Sequence, residues 1–339
     1  MIAPSSPHQQ AAEERITLTD FESSTIIGAQ RGITTITFLR GKAYPAAGFI
    51  RERLRAITEV NPWIAGRLVQ DTNEKNLQFV YPSTSTQTGT ATINDSTLDD
   101  LVRLDPPNLS IHSKMEYIAL REAIVESEAQ LPKGRGLVNK PDLVFRVTIA
   151  PDSIDKSAAF AIVFSMSHAI GDAHTYYAII KMISEGTNII ALNPTRSTEV
   201  AMRCTDACKD AATYLSSFAS LFSVFWKIVF KPKNKYCAYY VDKARVEAAK
   251  NSAKARGAKF VSTNDILTST FRALCNARLC FMVINLRNRV KGATYNNAGN
   301  FLCGLPLDLD VYKHPEGIRR VIQKGLPFVA HTRPFPGFF

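Results

Sequence analysis

Six cysteines in 339 residues are few, and none forms a CxxC pair. They are Cys204, Cys208, Cys237, Cys275, Cys280 and Cys303. Without regular spacing they suggest neither a disulfide framework nor a zinc knuckle. The simplest reading is reduced, partly buried thiols in a cytoplasmic protein. Long apolar runs are also lacking. A membrane span needs about 18 uncharged apolar residues, and the nearest candidate is "AATYLSSFASLFSVFW" (211–226), 16 residues rich in Ser and closed by Lys227. It reads as an amphipathic helix or packed connector, with weak interfacial membrane contact as the lesser reading. The opening "MIAPSSPHQQAAEER" has no basic segment and no apolar core, so no secretory signal is expected. GxGxxG and GxxxxGK[ST] are absent, and with them the usual dinucleotide and phosphate loops. No GxSxG elbow exists, so Ser165 and Ser167 are poor nucleophile candidates.

What is present is globular composition, 45% apolar and 21% charged. The length allows one large domain or two ordinary ones. The net charge of +11 is concentrated: Trp226 to Phe260 holds ten Lys or Arg against two acids. Such a run is usually a solvated face. Nucleic-acid binding would need interleaved aromatics or a known module, and neither is seen. A basic rim attracting an anionic nucleotide-bearing thioester is the functional alternative.

Strands and helices alternate along the chain, which argues for an α/β class. "ITTITFLRG" (33–41), "WIAGRLVQ", "NLQFVYP" and "DLVFRVTIA" (142–150) read as strands. "AAGFIRERLRAITEVNP" reads as a helix stopped by Pro62, and "MEYIALREAIVESEAQL" (115–131) as another. Residues 84–112 read as a polar excursion. "AAFAIVFSMS" (158–167) is apolar on both faces, as in a central covered strand. A helix over "DAHTYYAIIKMISEG" follows, with Gly186 as terminator. "AYYVDKARVEAAKNSAKARG" suggests a short strand and a helix. "VSTNDILTSTFRALCNARL" carries a capping box from Ser262 to Asp265, and "CFMVINLRNRV" is strand-like.

Between the covered strand and its helix stands "SHAIGDA". His168 sits where the strand stops, Gly171 lies in the turn, and Asp172 falls in the first helical turn, where the dipole favours a carboxylate. Three readings compete. A lone pair of this kind is most often structural, a satisfied buried His and a capping Asp. A metal site lacks a third local ligand, because His174 projects elsewhere. A general base suits a neutral imidazole near pH 7 and contributes about 10²–10⁴ in rate.

"SHAIGDA" resembles the HxxxD motif of the acyl-CoA-dependent acyltransferases, the BAHD-like and chloramphenicol-acetyltransferase-like superfamily. "LRAITEVNPWIAGRL" (54–68) is similar to that superfamily's early helix and strand. "FVSTNDILTSTFRALCNAR" (260–278) looks like its "vSt.DaLtA..W" helix, and "VINLRNRV" with "YNNAGNF" looks like its "vd.R.R" and "Y.GN" segments. These features occur in the family's order over roughly residues 30–322. The resemblance implies an α/β, two-subdomain chloramphenicol-acetyltransferase-like sandwich with a solvent channel. It implies acyl-CoA as cosubstrate, with no bound cofactor or metal, and a small alcohol or amine as acceptor. His168 matches the family's base. Asp172 matches its structural carboxylate, for which Arg287 is the candidate partner, with Gly171 supporting the turn.

Two departures qualify this. Ser167 and Ala173 stand where peptide-synthetase condensation domains usually carry His and Gly, which points to simple acyl transfer. Past "HPEGIRRVIQKG" the ending "LPFVAHTRPFPGFF" departs from the family, so a shortened or misread C-terminus and an incomplete second subdomain are expected. The layout read from the sequence is a tail (1–15), an N-terminal acyltransferase subdomain (16–187), a connector (188–236) and a partial C-terminal subdomain (237–339). The alternative to an enzyme is a catalytically impaired remnant acting as a binding or scaffold protein.

Overall fold

The computed structural model describes residues 13–83, 94–209, 238–275 and 279–325. The 211–226 stretch, residues 226–237 of the basic run and the C-terminal 326–339 lie outside them. The chain divides into two compact units. The first comprises residues up to Arg196 together with Asn296–Asn300, and the second comprises Ser197–Tyr295 and the residues from Phe301 onward.

The first unit holds strands β1 (Glu13–Thr17), β2 (Ile33–Arg40), β3 (Arg67–Val69), β4 (Gln78–Pro82), β5 (Val102–Leu104), β6 (Phe145–Pro151) and β7 (Ala159–Met166). Its helices are α1 (Thr25–Gly28), α2 (Ala43–Val60), α3 (Asp95–Leu101), α4 (Tyr117–Glu126), α5 (Gly134–Leu137) and α6 (Ala173–Ile183). β2, β7, β6 and β5 form a four-stranded sheet in that order, and β1, β4 and β3 form a three-stranded one. β7 is thus interior, paired antiparallel on both sides. Its apolar character on both faces follows. Phe160, Ile162, Phe164 and Met166 join the main core, while Ala161 and Val163 pack with Leu109, Ile111, Ile124 and Ala129 under α4.

α2 buries Ala43, Ala47, Ile50, Leu54 and Ile57, a stripe at helical spacing. Pro62 stops it by restricting Asn61, which has φ −130 and ψ 65. Asn61 is fully buried, donating to Ile190 O (2.9 Å) and accepting from Leu192 N (2.8 Å). "WIAGRLVQ" departs from its expectation. Pro62–Ala65 is a 3-10 turn that buries Trp63 and Ile64, and the strand begins only at Arg67. Pro at the turn's start and burial of all four side chains outweigh β propensity here.

The second unit holds α7 (Thr198–Ala207), α8 (Lys243–Ala255), α9 (Thr263–Leu274), β8 (Leu279–Asn285), β9 (Leu302–Asp308), α10 (Leu309–Tyr312) and α11 (Pro315–Lys324). β8 and β9 pair antiparallel. Cys303, Leu305 and Leu307 alternate inward on β9 against Ile318, Val321 and Ile322 of α11. The short strand expected before α8 is absent; residues 238–242 carry no regular structure. The capping box is made in full, Ser262 Oγ accepting from Asp265 N (3.1 Å) and Asp265 from Ser262 N (2.7 Å). Asp265 is fully buried, and Arg319 donates to its Oδ2 through Nε (2.8 Å) and Nη2 (2.6 Å).

Cys204 and Cys208 lie one helical turn apart. Burial pushes the Cys204 thiol up to about 11. The hydrogen bond with Cys303, and then burial, pushes Cys208 upward as well. Such thiols are inert at neutral pH, whereas Cys275 is exposed.

Two outcomes follow for the second unit. Arg319→Met strands a buried carboxylate and lowers stability by about 3 kcal/mol in chemical denaturation; an unchanged midpoint would contradict the pairing. Iodoacetamide at pH 7.5 alkylates Cys275 well before Cys204 or Cys208 in the folded protein, the order being read by peptide mass spectrometry.

Candidate functional site

The His168 corner belongs entirely to the first unit. β7 ends at Met166, and Ser167 N still donates to Val144 O (2.8 Å), so the strand's pairing carries one residue further. The backbone then turns: Ile170 N donates to Ser167 O (3.3 Å) and Ala169 N to Ser167 Oγ (3.4 Å). Ser167, Ala169 and Ile170 are each 1% exposed, while His168 between them is only half-buried. The corner is anchored on both sides of the imidazole. His168 Nδ1 is buried and has no hydrogen-bond partner among the described residues.

Asp172 lies just outside the helix rather than in its first turn. It is the N-cap of α6, 5% exposed, accepting from Thr175 N (3.1 Å) and Thr175 Oγ1 (3.3 Å). A carboxylate there meets both the free amides and the positive end of the dipole. Gly171 is needed for closeness: a Cβ on it would fall 2.8 Å from Thr175 Cβ. α6 is held to the core by Tyr176, Ile179, Met182 and Ile183, each worth about 1.5–3 kcal/mol of apolar burial. Tyr176 OH donates to Phe164 O (2.9 Å) and bonds Thr35 Oγ1 (2.7 Å), and burial raises it to about 12. α6 ends at Ile183; Gly186 (φ +71) lies beyond the terminus that it was expected to form.

The segment Asn296–Asn300 lies against this corner within the same unit. Gly299 O accepts from Asp172 N (3.2 Å) and from Thr175 Oγ1 (3.2 Å), and Asn300 Nδ2 donates to His168 O (2.8 Å). Gly299 adopts φ +141, a conformation that suits glycine. Behind it sits an ion pair that the sequence did not reveal. Glu22 (1% exposed) accepts from Arg196 Nε at 2.9 Å, and Arg196 (6% exposed) donates to Ile170 O (3.0 Å) and Ala298 O (2.8 Å). Glu22 follows Asp20 by two places in "TDFESS" and Arg196 is the one charge in "NPTRST", with no periodicity to flag either.

Arg287 lies in the second unit. It is 2% exposed, stacks 4.7 Å over Phe301, and donates to Asn285 Oδ1 through its backbone N (3.0 Å) and Nη1 (3.2 Å). In the described part of the basic run, Arg245 pairs with Asp242, Lys250 with Glu247 and Arg256 with Glu316, on a largely exposed helix. That is the pattern of a solvated face. Among the described residues no group of three or more His, Cys, Asp or Glu is placed to hold a metal. None of the helices described there is long and apolar enough to cross a membrane.

Solved structures with the same architecture give this geometry a context. One is the TRI3 trichothecene 15-O-acetyltransferase from Fusarium sporotrichioides, with a TM-score of 0.56 and 11% identity over 94% of this chain and 73% of that one. A second is the first condensation domain of the CDA synthetase, with a TM-score of 0.53 and 15% identity over 93% and 74%. A third is TRI101 from F. graminearum in complex with coenzyme A and T-2 mycotoxin, with a TM-score of 0.52 and 14% identity over 95% and 79%. The chain therefore has the chloramphenicol-acetyltransferase-like α/β fold that its motifs implied. No protein-family model matches the chain, and no curated protein does.

Asp172→Ala removes the cap of α6 and lowers stability by about 1–2 kcal/mol. Urea unfolding followed by far-UV circular dichroism measures this, and a loss below a few tenths would show that the cap is dispensable.

Proposed function

We propose that this protein moves an acyl group from acyl-CoA to a hydroxyl or amine acceptor, with His168 as the general base. The observation that carries the reading is the half-buried imidazole on a rigid corner, its Nδ1 enclosed and unpartnered. Most buried polar side-chain atoms kept for structure are hydrogen-bonded, so an unpartnered Nδ1 favours a role beyond packing. The fold shared with acetyltransferases, one of them bound to coenzyme A, supports the reaction class. Ser167 and Ala173 favour a CoA thioester over a carrier-bound one, by the motif resemblance. The proposed acceptor is a small molecule, as is the T-2 mycotoxin held with coenzyme A in the TRI101 complex. Arg287 keeps a proposed supporting role that rests on the resemblance alone.

The chemistry follows from the ring's two ends. With Nδ1 turned inward, Nε2 is the nitrogen available to an acceptor. It takes the acceptor's proton as the oxygen or nitrogen attacks the thioester carbonyl. The tetrahedral adduct expels the CoA thiolate, which recovers the proton from Nε2. Acyl group and proton both balance, and the histidine returns to its starting state. Asp172 takes no proton in this scheme; capped onto Thr175, it holds the turn.

Purified protein with acetyl-CoA and a panel of alcohols and amines, followed by mass spectrometry of products, tests the proposal. His168→Ala is expected to lower turnover by about 10²–10⁴ with an unaltered circular dichroism spectrum. Turnover that survives the substitution would remove His168 from the chemistry. A wild-type protein inert toward every pair would leave a binding role instead.

A further inference from the structure

Two carbonyls of the His168 corner are held from behind by one buried ion pair. Ile170 O accepts directly from Arg196 Nη2 (3.0 Å), and His168 O accepts from Asn300 Nδ2 (2.8 Å). Asn300 is itself aimed by Glu22, whose Oε1 accepts from its backbone N (3.1 Å) and its Nδ2 (3.3 Å). Glu22 Oε2 accepts from Arg196 Nε (2.9 Å), Thr19 N (3.2 Å) and Thr19 Oγ1 (3.2 Å). Arg196 Nη1 donates to Pro194 O and Ala298 O. The pair therefore joins four separate stretches of chain at the turn that carries the imidazole.

We propose that Glu22 and Arg196 are positioning residues for His168, acting through Asn300 and through Ile170 O. The inference rests on the acyl-transfer reading. A merely structural ion pair would tie any two convenient groups. This one sends Arg196 Nη2 to the carbonyl two residues past the base, and through Glu22 it aims the Asn300 amide at the carbonyl of the base itself. The geometry also fixes which way Asn300 faces, because a flipped amide would turn its oxygen toward both Glu22 Oε1 and His168 O. Loss of the Glu22 charge frees that amide and lets the turn relax. A base displaced by about an ångström loses roughly 10²-fold in rate, while substrate binding, which depends on other contacts, is little altered.

The test uses full-length protein carrying ¹³C-labelled histidine. The six histidines give few ring signals, and the one lost in His168→Gln identifies the corner. In Glu22→Gln and in Arg196→Met that signal shifts or broadens while the others hold. With saturating substrates kcat falls about 10–100-fold, and KM for acetyl-CoA stays within about 3-fold. Arg196→Lys, which keeps the charge on a single donor nitrogen, recovers at least part of kcat. Arg319→Met serves as the stability control, since it weakens the second unit without touching the corner. Should a charge variant fail to fold, Asn300→Ala removes the link alone and is held to the same readouts. An unmoved His168 signal, or a kcat loss no larger than that of Arg319→Met, overturns the proposal. If the wild-type protein transfers no acyl group, the functional reading fails, and the nuclear magnetic resonance arm still decides the mechanical link.

Discussion

Glu22 and Arg196 face each other at 2.9 Å with almost no access to water. Desolvating each ion costs several kcal/mol, which only good geometry and further hydrogen bonds offset. The surroundings supply them. Three donors converge on Glu22 Oε2 and two on Oε1, and carbonyls from Ile170, Pro194 and Ala298 accept from the Nη atoms of Arg196. This demand organises the first unit around the turn. The return of Asn296–Asn300 into that unit, paired with Asn193 through Asn193 N to Asn296 O (2.7 Å) and Ala298 N to Asn193 O (2.8 Å), is part of the same arrangement. A segment more than a hundred residues downstream in the chain thereby braces the His168 turn.

Local signals carried much of the fold. Ile50, Leu54 and Ile57 announced α2, Pro62 its end, and Ser262 with Asp265 the start of α9, because each depends on neighbours a few residues away. β7 could be called central from its doubly apolar run, and it is. The failures have a common cause. "WIA" has β-prone residues, but a proline-initiated turn buries them better. Nor does alternation along β6 say that Arg146 is 4% exposed, with residues 109–131 covering its face and burial lowering its affinity for a proton. Tertiary cover is not written in strand periodicity. The same holds for the site. His168, Gly171 and Asp172 were legible as a motif, since seven consecutive residues carry it. Glu22, Arg196 and Asn300 were not, since their relation exists only after four distant segments meet.

The scaffold is common to acetyltransferases and a condensation domain, so it does not by itself select a reaction. The residues beside His168 are committed to the turn. Ser167 is buried and spent on the turn, its Oγ accepting from Ala169 N and its N donating to Val144 O. It is thus part of the corner's framework, not a second reactive group. Ser165 is likewise consumed, bonded to Thr34 Oγ1 (3.0 Å) and accepting from Leu131 N (2.9 Å). Both hydroxyls are thus committed to the framework, whereas the His168 Nδ1 has no hydrogen-bond partner among the described residues.

The structural reading of the His–Asp pair describes Asp172, and the proposed catalytic reading concerns His168 alone. Asp172 is structural in the ordinary sense: its oxygen is occupied by Thr175, and it starts α6. His168 is not satisfied in that way. Burying a polar nitrogen without a partner costs free energy, and a core histidine could avoid the cost by a small rotation toward any nearby carbonyl. Here rotation is the one freedom left, because the residues on both sides are fixed by packing and the carbonyl of His168 is held by Asn300. A pinned backbone that leaves the ring free to turn is what the proposed base would need. A motif retained only to cap a helix would need Asp172 and Gly171 alone.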